Sequence, residues 1–523
     1  MNKIRNVLFI MADQLRADML SCYRGGQGRL QTPHIDALAA AGTLFDNCYV
    51  QGTVCGPSRM STYTGRYVAS HGATWNFVPL AAHLLTMGDH LRQAGLRVAV
   101  VGKTHIVGDR AGMARLGLDP KSKEGLLVDQ GGFEPYARDD GVLPESKLRH
   151  GDTPYNQYLK AQGYDARNAW HDYANAGAGP DGEVLSGWQM RHASLPARVQ
   201  ERHSETAWTT DRAIDFMREQ GDAPWCLHLS YIKPHWPYIA PAPYHAMFGA
   251  DDAPAAVRSD AEREAAHPVL QAFRQHPEGL AFSREEVRRA VVPAYMGLVK
   301  QLDDHLGRLL QAVDQLGRRD DTLIVLTADH GDLLGDHWLG EKEMFYEASV
   351  RVPLIVVDPT LSERVPVCDA LVQAIDLLPT FKDAVGLPCD DPWLEGRSLL
   401  PLLRGEAEQE REAVFSELDY AFYGARQQLG VDVNEARATM VRTRRWKYVR
   451  YEGFAPQLFD LAQDPDELQD LGLADSHAEV RAEMEARIAR WRAGCRNRVT
   501  MSDAEVLARG DRSKVGGVRI GEW

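Results

Sequence analysis

The chain has 523 residues, 44% hydrophobic and 25% charged, with seven cysteines and a formal net charge of −14 from 73 acidic and 59 basic side chains. A core of that size needs no covalent staples, and an odd number of scattered cysteines without a CxxC pair speaks against a disulfide framework or a zinc knuckle and for a reducing, cytoplasmic setting. The acidic balance without a basic tract speaks against nucleic acid as a partner, and no apolar run nears the roughly eighteen residues of a membrane span, so an anionic substrate must be drawn by a local cluster of cations.

The start, Met1 to Arg5 and then Asn6 to Ala12, is basic and then apolar. Asp13 ends the apolar run too soon for a secretory signal and no small-residue cleavage site follows, so Val7 to Ala12 reads as a first buried strand, with Asp13-Gln14 directly after it. Pro33 to Ala41 has helical spacing. Next comes Cys55-Gly56-Pro57-Ser58-Arg59, followed by Thr64-Gly65. Pro57 suits the first turn of a helix, which places Cys55 at or just before a helix N-terminus, where free N–H groups favour an anion, and Arg59 is expected to point back to the same spot. A lone buried cysteine is ordinarily a small hydrophobe, and an ordinary thiolate nucleophile is the other reading; the neighbours must decide.

Val98 to Val101 is a second apolar run, followed by Lys103 and His105. Residues 107 to 200 are rich in Gly, Asp and Pro with weak periodicity, which predicts a long insertion over one face of the sheet that shapes a pocket. Ser204 to Gln220 and Val291 to Leu316 are amphipathic helices; Cys226 to Ile232, Thr322 to Thr327 and Leu354 to Val357 are further apolar runs. His235 follows one of these strands, Asp329-His330 another, and Lys342 sits in Gly340-Glu341-Lys342. Runs without alternation, separated by helices, predict an α/β fold with a large, mostly parallel sheet flanked by helices.

Near residue 400 the texture changes. Ala438 to Thr443, Trp446 to Tyr451 and Gln457 to Asp460 read as short strands joined by turns. Ser476 with Glu479 reads as a capping box, and Val480, Met484, Ile488 and Trp491 repeat at helical spacing, with Gly494 suited to the helix end. The division expected is a catalytic domain over 1–395 and a smaller C-terminal α+β domain with a short antiparallel sheet over 396–523. The tail after Val499 lacks periodicity and reads as a loose end or an arm across a subunit interface.

In a parallel sheet, polar groups just past the carboxyl ends of strands converge on one crevice. Asp13, Gln14, Asp329 and His330 then make an oxygen-rich site for a divalent cation, and Lys103, His105, His235 and Lys342 surround it with groups suited to a tetrahedral oxyanion. Each of these alone has an ordinary reading as a cap, turn or surface residue; their repetition at strand ends is the signal.

These motifs, with Gly102-Lys103-Thr104-His105, Lys233-Pro234-His235, Ser349-Val350-Arg351-Val352-Pro353 and Leu458-Phe459-Asp460-Leu461, resemble the formylglycine-dependent sulfatases of the alkaline phosphatase superfamily, with their relatives the phosphonate monoester hydrolases, over nearly the whole chain. The resemblance implies an alkaline-phosphatase-like fold and oxidation of Cys55 to Cα-formylglycine by a formylglycine-generating or equivalent enzyme. It implies metal ligands Asp13, Gln14, Asp329 and His330, with Arg59 holding the nucleophile's oxygen near the metal. His105 becomes the base, Lys103 binds the sulfuryl oxygens, His235 and Lys342 serve the leaving-group side, and Asn76 is a further candidate for substrate contact.

Three departures matter. Gln14 and His330 stand where many relatives have Asp and Asn, so the site carries less negative charge and both Ca²⁺ and Mn²⁺ fit. Tyr63 stands where the modification motif usually has Leu. Lys103 and His105 stand where phosphonate monoester hydrolases typically have Tyr and Thr, which favours hydrolysis of sulfate monoesters, aryl or small alkyl, with side activity on phosphonate monoesters and phosphodiesters. A dedicated phosphonate monoester hydrolase or phosphodiesterase and a choline sulfatase are the alternatives, and homo-oligomers, dimer or tetramer, are expected by analogy.

Overall fold

A computed structural model describes residues 3–141, 153–264, 267–406, 411–495, 501 and 503–509. Its centre is a mixed sheet. The order across it is Val367–Cys368, Thr43–Tyr49, Arg351–Val357, Thr322–Ala328, Asn6–Ala12, Trp225–Tyr231, Arg97–Gly102 and Glu134–Arg138, with Val372–Gln373 also paired to Thr43–Tyr49. All pairings are parallel except those of Arg351–Val357, which runs antiparallel to both of its neighbours. The strands Asn6–Ala12, Trp225–Tyr231 and Thr322–Ala328 are buried at every residue. That is why they read as unbroken apolar runs: both faces of the sheet are covered.

The helices lie in two groups. Pro33–Ala41 and Glu205–Gln220 each pack on Glu285–Gln315, and Cys55–Thr64, Met87–Gln93 and Leu377–Ala384 form the second group. Ser204 caps its helix by accepting a hydrogen bond from the Ala207 amide. The long helix begins earlier than its apolar stripe, with Glu285 and Glu286 in the first turn, where carboxylates suit the positive end of the helix dipole.

Among the strands that escaped sequence reasoning, two did so for clear physical reasons. Thr43–Tyr49 carries Asp46 and Asn47 at a register shift between Phe45 and Cys48, which breaks the apolar run. Glu134–Arg138 is an edge strand with a proline, where a missing N–H is tolerated. Because it belongs to the main sheet, the 107–200 stretch is not purely a cover over one face, which corrects that expectation.

Beyond residue 411 the strands Val414–Asp419, Arg437–Arg442, Trp446–Tyr451 and Gln457–Asp460 form a four-stranded antiparallel sheet. The helix Ala478–Gly494 packs on it through buried Met484 and Ile488, with Trp491 stacked on Phe415 at 4.7 Å. The expected capping box does not form: His477 takes the N-cap position, no side chain caps the helix, and Ser476 instead meets its neighbour His477. The two sheets are tied by a bond from the Glu417 amide to the Gln51 carbonyl, 2.9 Å. A buried ion cluster adds to this, with Lys447 Nζ 2.7 Å from Glu347 and 2.6 Å from Glu467. The tail expected after Val499 lies mostly outside the described residues; within it, Asp503–Arg509 is helical.

Candidate active site

Four adjacent parallel strands build the floor of the site. Thr322–Ala328, Asn6–Ala12, Trp225–Tyr231 and Arg97–Gly102 lie side by side, so the residues after their carboxyl ends fall in a row, about 4.8 Å apart per strand. That row carries Asp329-His330, Asp13-Gln14, Lys233 to His235, and Lys103 to His105. Backbone pairing continues past the strands, with the Asp13 amide on the Tyr231 carbonyl and the Lys103 amide on the Ser230 carbonyl, both 3.0 Å. Gly102 has φ +92°, and a Cβ there would lie 1.9 Å from the Ser230 oxygen, so only glycine lets these strands approach.

Cys55 is the first residue of the helix Cys55–Thr64 and is fully buried. Its Sγ lies 3.1 Å from His330 Nε2, 3.5 Å from Lys342 Nζ, 3.7 Å from Asp13 Oδ1 and 3.9 Å from Lys103 Nζ. Burial alone would raise the thiol's pKa, but Lys103, Lys342 and His330 outweigh it and hold the group well below its ordinary range. Burial and Cys55 likewise push Asp13 up, and Lys103, His235 and Arg59 override them to hold its carboxyl far down.

Arg59 does not reach back to Cys55 in the hydrogen bonds described for it. Its guanidinium donates to Asp329 Oδ2 at 2.7 Å, Asp13 Oδ2 at 3.3 Å, Ser230 Oγ at 2.7 Å and the Lys103 carbonyl at 3.0 Å. It is a strut beneath two carboxylates. Lys103 pairs with Asp13, and Lys342 donates to Gln14 Oε1 and His235 Nε2, both at 3.1 Å. His235 donates from Nδ1 to the Trp236 carbonyl at 2.7 Å, so its Nε2 is a lone pair, and burial with Lys342 beside it lowers its pKa to about 3. His105, half-buried at φ +56°, has its Nδ1 buried without a partner among the described residues. Asn76 Oδ1 accepts the Gly56 amide at 2.7 Å and thus steadies the helix start.

The donor set fits a divalent cation. Ligand atoms of Asp13, Cys55, Asp329 and His330 lie within 4.8 Å of one another, all buried. His330 Nδ1 donates to the Gly331 carbonyl at 2.8 Å, which leaves the Nε2 lone pair facing the cluster. Burial opposes charging of His330, but Asp329 and Cys55 prevail and raise it to about 9, so a dication competes with a proton there. Gln14 donates from Nε2 to Tyr238 Oη at 3.1 Å and Asp332 Oδ2 at 2.5 Å, which turns its Oε1 toward Lys342 and the site.

Sequence reasoning missed the supports. Asp332 and Tyr238 orient Gln14, and Ser230 anchors Arg59. Asp140 Oδ1 accepts the amides of Thr104 and His105 at 2.7 and 3.2 Å, which shapes the turn carrying Lys103 and His105. Asp332, three residues past Asp329, was within reach of motif reading; Asp140, in a stretch without periodicity, gave no signal.

Comparison with known proteins gives the family. Residues 5–387 match the family model described as Sulfatase, and residues 335–494 match that of N-sulphoglucosamine sulphohydrolase, C-terminal. The multifunctional alkaline phosphatase superfamily protein PehA of Trinickia caryophylli is 30% identical, over 93% of this chain and 95% of its own. An arylsulfatase of Clostridium perfringens is 26% identical over 91% of each. A phosphonate monoester hydrolase from Silicibacter pomeroyi superposes with a TM-score of 0.82 at 29% identity, over 94% of this chain and 96% of that one. The chain therefore belongs to the sulfatase family, within the alkaline phosphatase superfamily.

Proposed function

We propose that the protein hydrolyses sulfate monoesters, aryl or small alkyl, with Cys55 as precursor of the nucleophile and with side activity on phosphonate monoesters and phosphodiesters. One observation carries the reading: a single atom, Cys55 Sγ, lies next to a metal-ligand set and within 3.5 and 3.9 Å of two ammonium groups. Asp13, Gln14, Asp329 and His330 would hold one Ca²⁺ or Mn²⁺, which supplies a Lewis acid for the nucleophile and the ester oxygens. A partner modifying enzyme would oxidise Cys55 to formylglycine, whose hydrate offers one hydroxyl for attack and a second to expel sulfate.

The chain's own residues then divide the work. Lys103 and Lys342 neutralise the non-bridging oxygens, and Lys342 stands ready at the leaving oxygen, where charge develops. His235, neutral and accepting from Lys342, keeps that ammonium oriented. His105 takes the proton that releases sulfate, and Arg59 fixes Asp13 and Asp329. We place the division of the chain after residue 395, and seven cysteines without a disulfide among them support a cytoplasmic setting. A homo-oligomer remains the reading by analogy.

A dedicated phosphonate monoester hydrolase is the second reading, favoured by the superposition with the Silicibacter pomeroyi enzyme. Rates on an aryl sulfate, a phenyl phosphonate and a phosphodiester separate the two: Lys103→Ala and His105→Ala should each cut the sulfatase rate by about 10²-fold. Losses below threefold favour the second reading. Peptide mass should show residue 55 lighter than cysteine by about 18 Da. Full activity with an unmodified thiol overturns the formylglycine mechanism.

A further inference from the structure

Tyr63, which stands where the modification motif usually has Leu, is fully buried, and its Oη lies 2.8 Å from Nε2 of His228, a histidine of the central sheet that is itself fully buried. His228 Nδ1 donates to the Phe9 carbonyl at 3.3 Å, so Nε2 carries the lone pair and the Tyr63 hydroxyl is the donor. Burial and the nearby Arg59 charge lower the imidazole to about 3, which keeps it neutral. Packing holds both rings. His228 stacks on Phe9 at 4.5 Å and tilts against Phe133 at 5.4 Å, and Tyr63 meets Phe133 edge-on at 5.2 Å.

Tyr63 and Arg59 are four residues apart in the helix Cys55–Thr64 and share one of its faces. His228 and Ser230 are two apart in the strand Trp225–Tyr231 and share one face of the sheet. The helix face and the sheet face meet at the guanidinium, where Arg59 donates to Ser230 Oγ at 2.7 Å and Tyr63 donates to His228. A guanidinium has five N–H groups, and the four bonds of Arg59 to Asp329, Asp13, Ser230 and the Lys103 carbonyl leave one, on Nη2. Tyr63, with its proton given to His228, keeps its lone pairs for that N–H. Burial raises the phenol to about 12, and the Arg59 charge with a hydrogen bond from the guanidinium pulls the other way. A leucine here would offer no acceptor, and an unpaired donor on a buried guanidinium costs free energy.

Arg59 takes Oδ2 of both carboxylates, while Asp13 Oδ1 lies 3.5 Å and Asp329 Oδ1 3.7 Å from His330 Nε2. The set of the guanidinium therefore decides which carboxylate oxygens face the ligand cluster. We propose that Tyr63 and His228 are a positioning pair: the one-way chain from Arg59 to Tyr63 to His228 to the Phe9 carbonyl fixes the guanidinium so that Asp13 and Asp329 present Oδ1 together, which strengthens the binding of a divalent cation. This rests on the reading of Asp13, Gln14, Asp329 and His330 as ligands of one metal ion.

The test titrates Mn²⁺ and Ca²⁺ into the metal-free full chain by calorimetry. Tyr63→Phe removes the hydroxyl and keeps the ring, and it should weaken binding by about 10-fold, the lower end of what loss of an outer partner of a metal ligand costs. Tyr63→Leu, which restores the usual residue of the motif, should lose as much. A pair that served packing alone would lower the urea midpoint and leave the affinity of the folded chain unchanged, so losses below about threefold in the two variants overturn the proposal. A second measurement needs no variant: ¹⁵N spectra of the histidine-labelled wild-type chain should show His228 neutral with its proton on Nδ1. A proton on Nε2 reverses the chain and overturns the proposal. Failure of the wild-type chain to bind either ion overturns the reading of the metal ligands as well, whereas wild-type binding with unchanged variants removes the role of the pair alone.

Discussion

The floor of the site and its rim are built on opposite principles. On the floor, Asp13, Arg59 and Asp329 have no exposed surface, and every charge has a named partner. At the rim, Phe422 is 55% exposed, and Glu278 and Glu341 line a cavity, their carboxylates without a hydrogen-bond or ion-pair partner among the described residues. Asp13, Lys103, His235 and Asp329 come from four neighbouring strand ends, so none of them can shift without moving the sheet. The rim is gathered from segments near Trp75, His276, Glu341 and Tyr423, which are far apart in the chain. The floor is thus fixed by the sheet, and the rim by connections that can vary independently.

The largest effect that separates the two regions is expected from Lys342→Met. It removes a cation from the developing charge, so kcat should fall by about 10³-fold for sulfate and phosphonate esters alike. Steady-state kinetics check this; a loss below about 10-fold would move Lys342 from floor to rim and break the comparison.

Lys447→Met tests what holds the loop that serves both regions. The substitution leaves Glu467 without its cation while Glu347 keeps Arg351 at 3.3 Å, and removing one partner of a buried ion pair costs about 3–5 kcal/mol. Urea unfolding gives the value. A loss below about 1 kcal/mol would mean that the second sheet does not secure the loop.

The smallest effect concerns a support behind the floor. Burial raises the Asp139 carboxyl from 3.8 to about 7. A carboxyl raised in the folded chain binds its proton more tightly there than in the unfolded chain. Its contribution is therefore complete below its unfolded pKa and is lost as pH rises through its folded value. Between about pH 5 and 7.5 that loss amounts to roughly 2–3 kcal/mol. Asp139→Asn keeps an acceptor for the Tyr155 amide, 3.0 Å away, and should flatten this part of the stability profile relative to wild type. Parallel profiles would dismiss Asp139 as the titrating group.

The floor was legible in the sequence because fully buried strands leave unbroken apolar runs, and Asp13, Lys103, His235 and Asp329 stand just beyond them. The supports were not. Asp140 lies in a segment without periodicity, and its role depends on two amides, which any residue supplies. Arg59 was expected at the nucleophile and sits under the carboxylates, because spacing along a helix gives a direction but not the partner at the far end. The strand Thr43–Tyr49 was hidden by its register shift, and the rim by the distance in sequence between Trp75 and Tyr423. Aromatic contacts across that distance leave no local pattern to read.

The Lys447 cluster also bears on how the chain can be shortened. Cutting after residue 395 would look attractive, since every metal-ligand candidate and Cys55 precede that point. Yet the segment from Glu341 to Glu347, which delivers Lys342, is clasped from the far side by Lys447 and Glu467. A trimmed chain would keep its catalytic parts while losing the clamp on one of them, so a minimal enzyme must retain the small sheet.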